Sequence, residues 1–253
     1  MLKRLYRLES GYAIEHGGTL RHLLGDPFAA WTAGDEIAGG LAGQRLLAPV
    51  VPSKIVAVAL NYKAHAAEQG KPLPAEPLFF LKPSTAVIGP GEAIELPPGV
   101  GRVDHEAEVA LVIGRRARRV PAERAAEHIF GVTCMNDVTA RAVQKAVGHY
   151  TRAKGFDTFA PMGPCIAVGL DWSNLRVRGW VNGTLRQDST TADLIFPVPE
   201  LVAFISSVMT LLPGDIISTG TPSGIGPLEP GDLVRVEVEG VGELENPVIG
   251  DRP

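Results

Sequence analysis

Residues 104–113 read Asp104-His105-Glu106-Ala107-Glu108-Val109-Ala110-Leu111-Val112-Ile113. The aliphatic and β-branched content from Glu106 onward predicts a strand over 106–113. Its second half is apolar at every position, the pattern of a strand covered on both faces. Its first half is different. Alternate residues of a strand share a face, so Glu106 and Glu108 project the same way, about 6.6 Å apart along the chain. Two carboxylates so placed repel unless they are well solvated or a cation lies between them. The buried run that follows argues against solvation at its start. Hard oxygen donors suit Mg²⁺, Mn²⁺ or Ca²⁺. Spacing alone leaves two readings open, a metal site and a solvated strand edge.

Working outward, the chain is punctuated by 29 glycines and 21 prolines spread along its length. That spacing favours many short strands and turns over long helices. Lys54 to Leu60 is a continuous apolar run and predicts a buried strand. Asn61 to Gln69 predicts a short helix ended by Gly70. Strands are expected at Leu78–Leu81, Thr85–Ile88, Gly131–Asn136, Asp215–Ser218, Leu233–Glu239 and Gly242–Asn246. Asn182-Gly183 marks a tight hairpin, and Ser10-Gly11 a second one nearer the start. Helices are expected after Pro121, over Thr139–Val147, and over Pro199–Leu211. Phe28 to Gly34 is ambiguous. The fold class expected is α+β, mainly β. Residues 1–50 read as a small N-terminal domain, closed off by Pro49 and Pro52, with a larger domain over 51–253.

Four further groups could carry chemistry. Asp137, in Asn136-Asp137-Val138-Thr139-Ala140-Arg141, ends an apolar strand. It either caps the following helix or adds a third carboxylate at a strand end. His65 and Glu68 stand three residues apart on a helix and so share a face. They make either a surface pair or a dyad for proton transfer, since a carboxylate orients an imidazole and favours its charged form. Thr219-Gly220-Thr221-Pro222-Ser223-Gly224-Ile225-Gly226 lacks the lysine of a P-loop. Its glycines still let backbone N–H groups approach an anion, and an ordinary hairpin loop is the alternative. Lys154 precedes Gly155-Phe156-Asp157, in a segment whose aromatic residues predict partial burial.

Five stretches, taken in order, give the chain a resemblance to the fumarylacetoacetate hydrolase family: Asn61-Tyr62-Lys63-Ala64-His65, His105-Glu106-Ala107-Glu108, Asn136 to Arg141, Lys154-Gly155-Phe156-Asp157, and Thr219-Gly220-Thr221-Pro222. The resemblance covers about residues 54–250. It implies a mixed β-roll catalytic domain, a small N-terminal domain and a homodimer. It implies a Mg²⁺ or Mn²⁺ site with Glu106, Glu108 and Asp137 as ligands, and Lys154 beside it. His65 and Glu68 match the family's acid/base dyad. Gly220 and Thr221 match the segment that contacts a substrate carboxylate, and Arg141 and Gln144 match polar positions near the site. The chemistry implied is stabilisation of an enolate on a 2-oxo or 2-hydroxy acid. Isomerisation of muconate-type dicarboxylates, with 2-hydroxyhepta-2,4-diene-1,7-dioate as the type substrate, is the expected reaction. Acylpyruvate hydrolysis and oxaloacetate decarboxylation are the alternatives, and an inactive ligand-binding relative is the reading outside catalysis.

Composition narrows the classes further. The chain has 253 residues, 45% hydrophobic and 21% charged, enough for a sizeable core and unlike a disordered chain. A formal net charge of -4 argues against a nucleic-acid partner. The basic cluster Arg115, Arg116, Arg118 and Arg119 reads as a solvated turn. Two cysteines cannot build a disulfide scaffold, which suits a reducing compartment. The opening residues lack the apolar run of a signal peptide, and no stretch of 18 apolar residues occurs, so a cytoplasmic location is expected with no membrane partner.

Overall fold

Residues 2–250 are the residues that the computed structural model describes. The strands run β1 Lys3–Leu8, β2 Gly11–His16, β3 Thr19–Gly25, β4 Trp31–Glu36, β5 Leu46–Leu47, β6 Ile55–Ala59, β7 Leu78–Lys82, β8 Val87–Ile88, β9 Ile94–Leu96, β10 Val103–His105, β11 Ala107–Ile113, β12 Ile129–Asn136, β13 Thr139–Ala140, β14 Ala160–Val168, β15 Arg176–Val181, β16 Thr184–Thr190, β17 Ile216–Ser218, β18 Gly226–Pro227, β19 Leu233–Val238 and β20 Gly242–Gly250. The helices are α1 Lys63–Glu68, α2 Arg141–Val147, α3 Thr151–Lys154 and α4 Val198–Val208.

β11 is buried at every residue because both of its faces are covered. Ala107, Val109, Leu111 and Ile113 pack into one apolar cluster, and Ala110 and Val112 into another. This is the period of two of a strand inside a layered structure. β11 lies between β12 and β17 in a sheet of order β4-β3-β2-β1-β14-β12-β11-β17-β6-β7, which β5 and β8 join from the side to make twelve strands. A five-stranded sheet, β16-β15-β19-β20-β9, closes over the first cluster through Val177, Val236, Val238 and Leu244. α4 caps the same cluster with Val198, Leu201, Val202 and Ile205, an i, i+3, i+4, i+7 stripe. Most pairs are antiparallel, and β6–β17, β8–β14 and β9–β20 are parallel, so the roll is mixed. The fold is α+β and mainly β, as expected. Strands β1 to β4 extend the large sheet outward from β14 through the β1–β14 pairing.

The strand expected over 106–113 is interrupted at its first residue. β10 pairs with β13 and β18, whereas β11 pairs with β12 and β17. Glu106 is the residue between them. Its N–H donates to the Asn136 side chain at 2.9 Å, and its carbonyl accepts from the Asp137 N–H at 2.9 Å. The chain changes sheets there with both backbone groups of Glu106 paired. Other boundaries also move. The helix expected after Pro121 is a 3-10 turn over Ala122–Glu127. Thr139 and Ala140 pair as β13 before α2 begins. Thr85 and Ala86 sit in a 3-10 turn, with only Val87 and Ile88 extended. No helix among the described residues is long and apolar enough to cross a membrane.

Asp215 fixes the loop that leads into β17. Its carboxylate accepts from the Ser53 hydroxyl at 2.5 Å, from the N–H groups of Ser53 (3.2 Å), Lys54 (3.3 Å) and Leu212 (2.8 Å), and from the Lys54 ammonium. This holds the start of β6 beside β17, and both strands run into site loops. Replacing Asp215 with Ala strands several donors, so chemical denaturation of the Asp215→Ala variant is expected to show a loss of about 3 kcal/mol.

Candidate active site

Three strand ends deliver the acid cluster. Glu106 sits in the break between β10 and β11, Glu108 is the second residue of β11, and Asp137 directly follows β12. All three are buried, and one carboxylate oxygen from each lies within 4.8 Å of the other two. Asp137 does not cap the helix. The N-cap of α2 is Ala140, and no side chain caps it.

Cations hold two of these carboxylates. Lys154, buried at the end of α3, donates to Glu106 Oε2 at 2.8 Å and to Asp137 Oδ2. Arg141 donates to Glu106 Oε1, to Asp104 Oδ2 at 2.8 Å and to Gln144 Oε1 at 2.5 Å. Burial works to raise the Glu106 carboxyl, but Lys154 and Arg141 outweigh it and leave it at about 2. Burial likewise works to lower the Lys154 ammonium, but Asp137 and Glu106 hold it above its usual range. Glu108 has no cation of its own. Its Oε2 accepts from the Ser218 hydroxyl at 2.5 Å and the Gly220 N–H at 2.9 Å. Burial, with the neighbouring Asp137, pushes its carboxyl up to about 8. A buried oxygen-donor set with one carboxyl still under repulsion fits a divalent cation of the Mg²⁺ or Mn²⁺ kind.

The glycine loop after β17 is pinned against this cluster. Gly220 has φ of +98°, and a Cβ there would lie 2.9 Å from that of Asn61. Asn61 in turn donates to the Thr219 carbonyl at 2.8 Å and exchanges hydrogen bonds with Phe196. The Thr221 hydroxyl donates to the Ala107 carbonyl at 3.0 Å and accepts from Gln187 Nε2 at 2.7 Å. The Gly220 N–H and the Thr221 hydroxyl are therefore both engaged within the protein. Among the described residues nothing accepts from the Thr221 N–H.

α1 closes the site from above. His65 is buried, and its Nδ1 lies 2.8 Å from Glu68 Oε2. Glu68 Oε1 accepts from the Gly224 N–H at 3.0 Å, which ties α1 to the glycine loop. His65, Glu106, Glu108, Lys154 and Thr221 line one small inner chamber of about 50 Å³, together with Arg141 and Gln144. An outer cavity of about 580 Å³ shares Gln69, Lys71, Arg141, Gln144 and Tyr150 with it and is also lined by Arg102, Lys145 and His149. The sequence-predicted site residues thus converge, with Gly220 buttressing Glu108 from behind.

Residues 54–249 match the model of the fumarylacetoacetate hydrolase C-terminal domain. The chain belongs to the fumarylacetoacetate hydrolase family. It is 42% identical to a 2-hydroxyhepta-2,4-diene-1,7-dioate isomerase from Mycobacterium marinum, whose crystal structure superposes over all of both chains with a TM-score of 0.89. It is 33% identical to a maleylpyruvate hydrolase from Sphingobium sp. SYK-6, solved with manganese(II) and pyruvate, over 98% of this chain and all of that one, with a TM-score of 0.81. It is 40% identical to a mitochondrial oxaloacetate tautomerase of Xenopus laevis over 81% of this chain and 68% of that protein.

Three residues of this family member escaped sequence reasoning. Lys82 ends β7 and is fully buried. It donates to Asp137 Oδ1 at 2.5 Å and to the Phe159 carbonyl at 2.8 Å. Burial pulls its ammonium below the usual range against the opposing attraction of Asp137. Gln187 is buried on β16, accepts from the Ala107 N–H at 2.9 Å and donates to Thr221 and to the Pro222 carbonyl. Tyr150 stacks on Phe80, with ring centroids 4.7 Å apart. The only signal in the sequence was the lysine closing the apolar run Leu78-Phe79-Phe80-Leu81-Lys82.

Two outcomes follow. A cation must displace the proton on Glu108, so Mn²⁺ affinity measured by calorimetry should rise with pH by up to about tenfold per unit below 8 and level off above it. The Lys82→Met variant leaves Asp137 short of a partner, so urea denaturation of the metal-free protein should show a loss of about 3–5 kcal/mol. Added Mn²⁺ should raise its midpoint more than that of the wild type.

Proposed function

We propose that the chain is a divalent-metal-dependent enzyme acting on 2-oxo or 2-hydroxy dicarboxylates through an enolate, with 2-hydroxyhepta-2,4-diene-1,7-dioate isomerisation as its reaction. The observation that carries this reading is the convergence of Glu106 and Glu108 with Lys154 and His65 on one chamber, with Asp137 behind them in the same buried acid cluster and bonded to Lys154. A cation held by the three carboxylates supplies Lewis acidity that stabilises negative charge on an enolate oxygen. Lys154 keeps its charge and spends two of its three N–H bonds on Glu106 and Asp137, leaving one for a substrate oxygen. The Thr221 N–H stands ready for a substrate carboxylate. Nε2 of His65, oriented through Nδ1 by Glu68, takes and returns the proton. The outer cavity receives the rest of the molecule. Lys71 and Lys145 line it without an ion-pair partner among the described residues, which suits a second carboxylate. Likeness to the Mycobacterium marinum isomerase over the whole chain supports the same reading. Assembly as a homodimer in the cytoplasm, and a division into residues 1–50 and 51–253, belong to this proposal.

The His65–Glu68 dyad also favours a second reading. An oriented imidazole can activate water; its attack on the acyl carbonyl of an acylpyruvate would break the C–C bond and expel pyruvate as the same kind of enolate, which then takes a proton, as the likeness to the maleylpyruvate hydrolase suggests. Decarboxylation of oxaloacetate would form the pyruvate enolate with loss of CO₂, and its tautomerisation would pass through an enolate with a proton moved by the same base.

The test is to supply Mg²⁺ or Mn²⁺ with the seven-carbon diene diacid, an acylpyruvate and oxaloacetate in separate assays. Ultraviolet change without cleavage of the diacid is expected. Pyruvate release from the acylpyruvate would replace the isomerase with a hydrolase on the same site. The Glu106→Ala variant should lose at least about 100-fold in kcat/KM, the scale of several kcal/mol of lost charge stabilisation. Unchanged activity in that variant would remove the metal assignment.

A further inference from the structure

Gln69 stands where the inner chamber meets the outer cavity, and it lines both. Its side-chain nitrogen lies 2.6 Å from Nε2 of His65. The other imidazole nitrogen faces Glu68, and a carboxylate only accepts. Nδ1 therefore carries the proton and Nε2 presents a lone pair. That lone pair is what the Gln69 amide N–H occupies. The dyad is held at both ends, since Glu68 also accepts from Gly224. Gly224 packs directly on the β16 backbone, where a Cβ would lie 1.9 Å from the Arg186 carbonyl oxygen. Gln69 is less constrained. It is the C-cap residue of α1, and the bond to His65 is the one hydrogen bond of its side chain among the described residues.

We propose that Gln69 is a specificity-determining residue that caps the His65 base until a substrate long enough to reach the outer cavity draws the amide away. The inference rests on the enolate reading above. A 2-oxo dicarboxylate whose head sits at the acid cluster carries its far carboxylate into the cavity lined by Gln69, Lys71 and Lys145. A carboxylate is a stronger acceptor for the amide N–H than a neutral imidazole. The amide changes partner and Nε2 becomes free to take a proton from the substrate. A short 2-oxo acid fills the chamber without reaching the amide, and the base stays capped. Water in an unliganded site meets the same block. Gln69 thereby couples the length of the substrate to the availability of the base.

The Gln69→Met variant tests this, because methionine keeps the length and helix compatibility of glutamine and lacks the donor. The first readout needs neither metal nor turnover. Diethyl pyrocarbonate acylates a free imidazole lone pair, so the metal-free variant should be carbethoxylated at His65 about two- to tenfold faster than the wild type, the scale of one hydrogen bond, as followed by peptide mass spectrometry. The second readout is deuterium exchange at C3 of 2-oxo acids, by proton NMR in D₂O with Mn²⁺-loaded protein. The wild type should exchange 2-oxopimelate in preference to pyruvate. In Gln69→Met the pyruvate rate should rise and the preference shrink about two- to tenfold, while 2-oxopimelate gains nothing because it loses its contact with the amide. The added His65→Ala change should abolish the gain. Equal carbethoxylation rates overturn the cap. An exchange preference that does not move in an active variant overturns the gate while leaving the enolate reading standing. No exchange of either acid by the wild type overturns the enolate reading and the gate with it.

Discussion

Three carboxylates with oxygens within 4.8 Å of one another, shut away from water, are the constraint to which the surrounding structure responds. At about 4 Å two like charges repel by about 4 kcal/mol at an effective dielectric of 20, so an acid triad left alone would not stay ionised. The fold answers each oxygen separately. Lys154 bridges Glu106 and Asp137, Arg141 takes the far side of Glu106, and Lys82 takes the far side of Asp137. Glu108 receives only a hydroxyl and a backbone N–H, and its carboxyl is driven upward. The asymmetry makes Glu108 the carboxyl whose proton a bound cation would have to displace.

The sheet arrangement is what brings these groups to one point. Glu106 lies where the chain leaves one ladder for another, so its side chain is delivered by a change of strand partner. That change was not legible in residues 104–113, because an unbroken strand and a strand that switches sheets carry the same alternation. The covered faces of β11 were legible, since an apolar run with no polar face has few other uses. The question over Asp137 could not be closed from sequence, because a strand-ending aspartate before a helix fits both roles. Two intervening residues that pair as β13 decide it, and pairing with a distant segment leaves no local mark.

Lys82 shows a different limit. A lysine that closes an apolar strand usually reaches for water, and nothing within its neighbourhood in the chain says otherwise. Its partners, Asp137 and Phe159, are supplied by elements far away in the sequence. Gln187 is hidden for the same reason, as the one buried residue among the exposed and half-buried residues of β16. The residues found from sequence were those whose type is unusual for their surroundings. Those missed have unremarkable types and unusual partners.

The acid cluster and its cations are rigidly specified, and under the enolate reading proposed above they would serve every outcome equally well. Discrimination must therefore come from the groups around the mouth, where constraints are weakest. α1 spans only six residues, too few to be stable by itself, and is kept in place by Glu68 on Gly224 and by the burial of His65 and Ala66. Its C-terminal end projects Gln69 and Lys71 toward the outer cavity. Small changes there alter which molecules reach the base without disturbing the cluster beneath. Costly, buried charges placed on sheet ends leave the groups at the end of one short helix free to change without disturbing the cluster.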